Sequence, residues 1–67
     1  MKDLQATVYG YVKAEGITKD QLAERLGIGR SAFYDKLGGR SQWYLAEAYK
    51  LSQLLGVSLD DVARMVL

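Results

Sequence analysis

The stretch Thr18-Lys19-Asp20-Gln21-Leu22-Ala23-Glu24-Arg25-Leu26-Gly27-Ile28-Gly29-Arg30-Ser31-Ala32-Phe33-Tyr34-Asp35-Lys36-Leu37-Gly38-Gly39 decides how the rest of the chain is read. Thr18 and Gln21 stand at the spacing of a capping box, in which the Thr18 hydroxyl accepts from the Gln21 amide while the Gln21 side chain reaches back to Thr18. Ile17 and Leu22 sit where the accompanying hydrophobic staple needs apolar residues. A helix therefore starts here. It carries Leu22, Ala23 and Leu26 inward and stops at Gly27 after about two turns. Gly27-Ile28-Gly29 then makes a three-residue turn with an apolar plug. The following segment, Arg30 to Leu37, is a second short helix whose Phe33 and Leu37 share one face. Gly38 and Gly39 end it, since adjacent glycines resist continuation.

Outward from this unit the pattern stays helical. Leu4, Val8, Tyr11 and Val12 fall on one stripe of a first helix from roughly Asp3 to Glu15, with Gly10 inside it at a cost of about 1 kcal/mol relative to alanine unless close packing compensates. Gly16 closes this helix. From about Ser41 a fourth helix is expected, the longest of the set, with Leu45, Ala48, Leu51, Ser52 and Leu55 on its buried stripe and Glu47, Lys50 and Gln53 outside it. Gly56-Val57-Ser58 with Asp61 and Val62 repeats the earlier grammar of glycine stop, staple residue and hydroxyl cap, so a fifth helix runs from Ser58 to about Met65. No strand signal appears. The expectation is an all-α fold, a compact five-helix bundle, with residues 1–67 as one domain whose helices all contribute to one core.

Composition narrows the function classes. The 67 residues include 49% hydrophobic and 25% charged side chains with no proline, which describes a globular chain rather than a disordered one. Neither cysteine nor histidine is present, so disulfides, zinc fingers, thiol nucleophiles and imidazole bases are excluded. An enzyme is not expected, because no base of suitable pKa is present beyond carboxylates and lysines. No cofactor, metal or small-molecule ligand is indicated. Asp60 and Asp61 do not suggest a metal site, since adjacent carboxylates on a helix diverge and their first-turn position is explained by the helix dipole. The glycine pairs lack the strand and spacing of phosphate-binding loops. Without a long apolar run or a signal-peptide core, neither membrane insertion nor export is expected, and a cytoplasmic setting is.

Net charge is only +1, but its distribution is uneven. Lys19, Arg25, Arg30, Lys36 and Arg40 face three acids in the middle segment, whereas the remaining four cations face five acids. A two-turn helix joined through a glycine turn to a second short helix is a helix-turn-helix unit, whose second helix enters the major groove of double-stranded DNA. The dimensions fit, since a rod of eight residues is about 12 Å long and the groove is about 12 Å wide. If Phe33 and Leu37 face the core, Arg30, Ser31, Tyr34, Asp35 and Lys36 face outward. Arginine bridges guanine O6 and N7, serine bonds several base edges, and aspartate accepts from cytosine N4. Tyr34 lies along the backbone, contacts a thymine methyl, or is simply exposed. Asp35 selects among bases or pairs with a nearby cation. Taken singly, Arg30, Lys36 and Arg40 are ordinary solvated charges; their shared location favours DNA contact.

The segment from Thr18 to Arg40 resembles the helix-turn-helix of the Cro and lambda-repressor-like (XRE) family, and Leu51-Ser52-Gln53-Leu54-Leu55-Gly56-Val57-Ser58-Leu59-Asp60-Asp61 is similar to its junction between helices four and five. The Leu22-Ala23, Gly27-Ile28 and Leu55-Gly56-Val57-Ser58 elements fall at the family's mutual spacing. Members are mostly phage, plasmid or bacterial transcriptional repressors that bind palindromic operators as dimers. The resemblance places Arg30, Ser31 and Asp35 where the family reads bases, Lys19 at the entrance of helix two where it grips phosphate or a base, and Arg40 with Ser41 in its phosphate-contacting loop. Lys36 is expected to hold a phosphate as well. Lys19 stands where a glutamine is common, Gly29 where a serine cap is common, and Gly38-Gly39 where asparagine-glycine is common. A lysine at 19 acts as a point charge rather than a bidentate amide.

The expected function is thus sequence-specific binding of double-stranded DNA by a regulator, as a homodimer at least on DNA, with the apolar end Met65-Val66-Leu67 serving as a contact surface or as the last turn of the core. Two other readings stay open. One is a protein-interaction module of the antitoxin or antirepressor type; the other is an excisionase-like architectural DNA binder. Trp43, Tyr44 and Tyr49 are read as covers around helix four, because no sheet platform exists to present them to single-stranded bases.

Overall fold

The computed structural model describes residues 3–66 and contains five α-helices: α1 (Leu4–Glu15), α2 (Lys19–Leu26), α3 (Arg30–Leu37), α4 (Leu45–Leu55) and α5 (Leu59–Val66). No strand occurs among the described residues. Three of the starts have a side-chain cap. Asp3 Oδ1 accepts from the Gln5 amide at 3.2 Å, Thr18 and Gln21 form the reciprocal capping box, and Ser58 Oγ accepts from the Asp61 amide at 3.0 Å. The all-α expectation and the helix-turn-helix within it are met.

The helices share one core. Leu4, Val8 and Val12 of α1 meet Leu22, Ala23 and Leu26 of α2, Phe33 and Leu37 of α3, Ala48 and Leu51 of α4, and Val62 of α5. Phe33, Leu22, Leu51, Val8 and Val62 are fully enclosed. α4 packs along α5, α1 against α2 and α5, and α2 against α3 and α4. α3 is therefore held mainly by one face, through Phe33 and Leu37, and Phe33 meets the Trp43 indole edge-on at 6.2 Å.

Three expectations are corrected. α4 begins at Leu45 rather than near Ser41, and at 11 residues it is shorter than the 12-residue α1. The cause lies in the segment before it. Gln42 gives its carbonyl to the Lys36 ammonium at 2.9 Å and Trp43 Nε1 donates to the Lys36 carbonyl at 3.2 Å, so this segment ties to the end of α3 instead of coiling. Tyr44 becomes the cap, with extended backbone and its amide held by Glu47 Oε1 at 2.9 Å. Leu45, expected on the buried stripe, is 75% exposed. Tyr44 and Tyr49 are likewise exposed, so of the three aromatic covers Trp43 alone packs on the core.

Gly10 lies on an exposed side of α1 with nothing within 4 Å of the position a Cβ would take, so no close packing offsets its cost. Met65 and Val66 pack against the core as the last turn of α5. Leu67, the remaining member of that apolar end, lies outside the described residues.

Candidate nucleic-acid interface

The capping box sets where α2 begins. Thr18 Oγ1 accepts from the Gln21 amide at 3.1 Å and Gln21 Oε1 accepts from the Thr18 amide at 2.9 Å, which places Lys19 and Asp20 in the first turn. The other end of α2 is closed by Gly27 at φ +73°, a left-handed conformation that glycine adopts without steric penalty. The Ile28 amide then donates to the Ala23 carbonyl at 3.0 Å and half-buries the Ile28 side chain against the core. This turn delivers α3 across α2. The Phe33 amide donates to the Gly29 carbonyl at 2.8 Å, and Phe33 drops into the core one turn into the helix.

With Phe33 and Leu37 inside, Arg30, Ser31, Ala32 and Tyr34 are exposed and Asp35 is half-exposed. Arg30, Tyr34 and Asp20 form one cluster. Arg30 Nη1 lies 3.3 Å from Asp20 Oδ2, and the Tyr34 hydroxyl donates to Asp20 Oδ1 at 2.8 Å. That hydrogen bond to a carboxylate holds the Tyr34 hydroxyl above its ordinary pKa, with lesser contributions from desolvation and the Asp20 charge, so the phenol stays a donor through neutral pH. α2 and α3 are thus joined by a polar tie on the side facing away from the core.

A second pair closes the other end of the face. Arg40 Nε donates to Asp35 Oδ1 at 3.1 Å, while the Asp35 carbonyl accepts from the Arg40 amide at 2.8 Å. Ser41 is exposed next to it, its amide 3.3 Å from the same carbonyl. Gly39, at φ +80°, makes the reversal that brings Arg40 back beside α3. Lys19 is half-exposed in the first turn of α2, and among the described residues it takes no part in the ion pairs that engage Arg30 and Arg40. Arg25 is turned away, donating to the Tyr11 hydroxyl at 3.2 Å near Glu15 on α1.

Lys36 departs from its expected place. Only 7% of it is exposed; its ammonium lies 3.1 Å from Glu47 and 2.9 Å from the Gln42 carbonyl, and 4.6 Å from the centre of the Tyr44 ring. An ammonium with these three partners is not presented to a phosphate. The reading of Lys36 as a phosphate contact is corrected to that of a clamp joining the end of α3 to the start of α4.

These elements bring Arg30, Ser31, Tyr34 and Asp35 to one face of α3, with Lys19 and Arg40 to Ser41 at its two ends. A family model described as a Cro/C1-type HTH DNA-binding domain matches residues 11–66. The chain belongs to that family. No curated protein and no solved structure gives a match. The matched span of the Cro/C1-type domain runs from within α1 to the last residue of α5, so it takes in every residue of the face just described. A domain of this family binds double-stranded DNA.

Sequence reasoning missed Asp20 in this Cro/C1-type domain, because an acid in the first turn of a helix is already explained by the helix dipole. Its partners lie 10 and 14 residues away across the turn, a pairing that no local pattern signals. The Glu47 clamp on Lys36 was missed because the two residues belong to different helices, and no local spacing pairs them.

Proposed function

We propose that this chain is a sequence-specific transcriptional regulator, a repressor, whose α3 reads the major groove from the face carrying Arg30, Ser31, Tyr34 and Asp35. The observation that carries the reading is the orientation of α3: Phe33 is fully enclosed while Arg30, Ser31, Ala32 and Tyr34 remain open to solvent. Arg30 is the guanine reader of choice, since its fork matches O6 and N7 of one base. Lys19, Arg40 and Ser41 flank α3 and take phosphates, which fix register without carrying sequence information. Repression follows from the resemblance to phage-type repressors and requires only occupancy of an operator. Such a regulator works in the cytoplasm.

One copy spans one half-site. Its longest dimension is 26 Å, which fits the spacing of about 34 Å between half-sites one helical turn apart, so two copies sit side by side on one face of the duplex as a homodimer.

Selection of bound sites from a random duplex library, followed by titration against salt, tests the reading. The expected outcome is enrichment of a pseudo-palindromic sequence, with log affinity falling against log salt by about 0.9 per neutralised phosphate, or about 4 for a dimer using Lys19 and Arg40 in each copy. Absence of retention on any duplex at low salt would contradict it and favour a surface directed at a protein partner.

A further inference from the structure

We infer that Asp20 is a positioning residue for base reading, holding the Arg30 guanidinium and the Tyr34 hydroxyl in one arrangement across the outer edge of α2 and α3. The inference rests on the proposed use of α3 as the reading helix. Asp20 sits in the first turn of α2, and its two carboxylate oxygens are divided between the two α3 residues: Oδ2 lies 3.3 Å from Arg30 and Oδ1 accepts from Tyr34 at 2.8 Å. Arg30 and Tyr34 stand one helical turn apart on α3, so a single carboxylate spans both. The Tyr34 bond fixes the carboxylate's rotation, and the fixed carboxylate then fixes where the guanidinium lies.

A guanidinium has five N–H donors, and the pair with Asp20 uses Nη1 alone, which leaves the other edge for O6 and N7 of a guanine. In water the pair is weak, because both partners are largely exposed. Entry into a groove changes that balance. Exclusion of water strengthens a charge pair at fixed distance, so the carboxylate orients the guanidinium most firmly when the base edge is present. Near phosphates the same carboxylate repels. A misplaced Arg30 leaves Asp20 uncompensated beside the backbone of the duplex, so the carboxylate penalises complexes in which Arg30 finds no guanine.

The discrimination ratio between the library-selected duplex and a scrambled duplex reads this role directly. Asp20→Asn removes the charge and keeps the size, and urea unfolding of each variant reports whether the fold persists. The expected result is tighter binding to the scrambled duplex, no matching gain on the selected one, and a drop of about tenfold in the ratio. In an Arg30→Ala background the same substitution should leave the ratio unchanged. An Asp20→Asn ratio within twofold of the wild type overturns the inference, as does an equal fall of the ratio in the Arg30→Ala background, which would mean that Asp20 acts independently of Arg30. Failure of the underlying reading looks different: the wild-type chain itself would then show no discrimination.

Discussion

Arg30, at the first position of α3, keeps its side chain 72% exposed beside Asp20, whereas Lys36, near the other end of the same helix, buries its ammonium against Glu47, the Gln42 carbonyl and the Tyr44 ring. Both cations lie within 4 Å of a carboxylate. Solvent separates their roles. An exposed pair contributes about 0 to 1 kcal/mol, so its arginine can be re-engaged by a base or phosphate at little cost. A buried pair cannot be opened cheaply, because each ion would be left desolvated and unpaired. The N-terminal end of α3 thus keeps its cation in water, and the C-terminal end holds the helix in place.

The strongest way to break this comparison is to remove the clamp. Lys36→Ala should lower stability by about 2 to 4 kcal/mol in urea unfolding, since Glu47 loses its cation in a mostly buried setting, while the salt dependence of DNA binding by the remaining folded protein should not change slope. A flattened slope with unchanged stability would return Lys36 to the phosphate contacts. Arg30→Ala should do the reverse. Its unfolding midpoint should stay close to that of the wild type, and affinity for the selected operator should fall by about 1 to 3 kcal/mol, with a far smaller loss on scrambled duplex. Equal losses on both duplexes would remove base reading from Arg30.

Arg40 sharpens the exposed half of the comparison. It is 71% exposed beside Asp35, and Arg40→Ala should weaken binding to all sequences alike and reduce the salt slope by about one per copy. A loss confined to one base position would instead make it a reader. The smallest expected effect belongs to Tyr34. Its proton is held more tightly in the folded chain, so the stabilisation from its bond to Asp20 is present below the unfolded value of 10.0 and is lost as pH rises through the higher folded one. Alkaline titration followed by phenolate absorbance should therefore lose a step above pH 10.0 on Tyr34→Phe. A missing step at or below that value would show that the hydroxyl is not bound to Asp20.

What the sequence made legible was whatever neighbouring residues decide. The Thr18 and Gln21 capping box, the glycine stops and the span Arg30–Leu37 depend on contacts a few residues apart, and the structure has them where the spacing put them. Phe33 and Leu37 as anchors followed from helical periodicity alone. The fate of each cation did not. Periodicity placed Lys36 next to Leu37 and one turn from Phe33, at the boundary of the buried face, where the arrival of Tyr44 and Glu47 tips it inward. The start of α4 was misplaced for the same reason, since the demand of Lys36 for the Gln42 carbonyl overrides the helical pattern from Ser41 onward. Asp20 was hidden because its two partners lie beyond the turn.

Backbone amide shifts recorded by NMR while the selected duplex is added test the central claim most directly, because they report every face of the molecule at once. The account predicts that the largest perturbations fall at residues 19–20, 29–35 and 39–41, with α5 and the exposed side of α1 around Tyr9 and Gly10 little changed. Perturbations concentrated on α1 and α5, with residues 30–35 undisturbed, would contradict it.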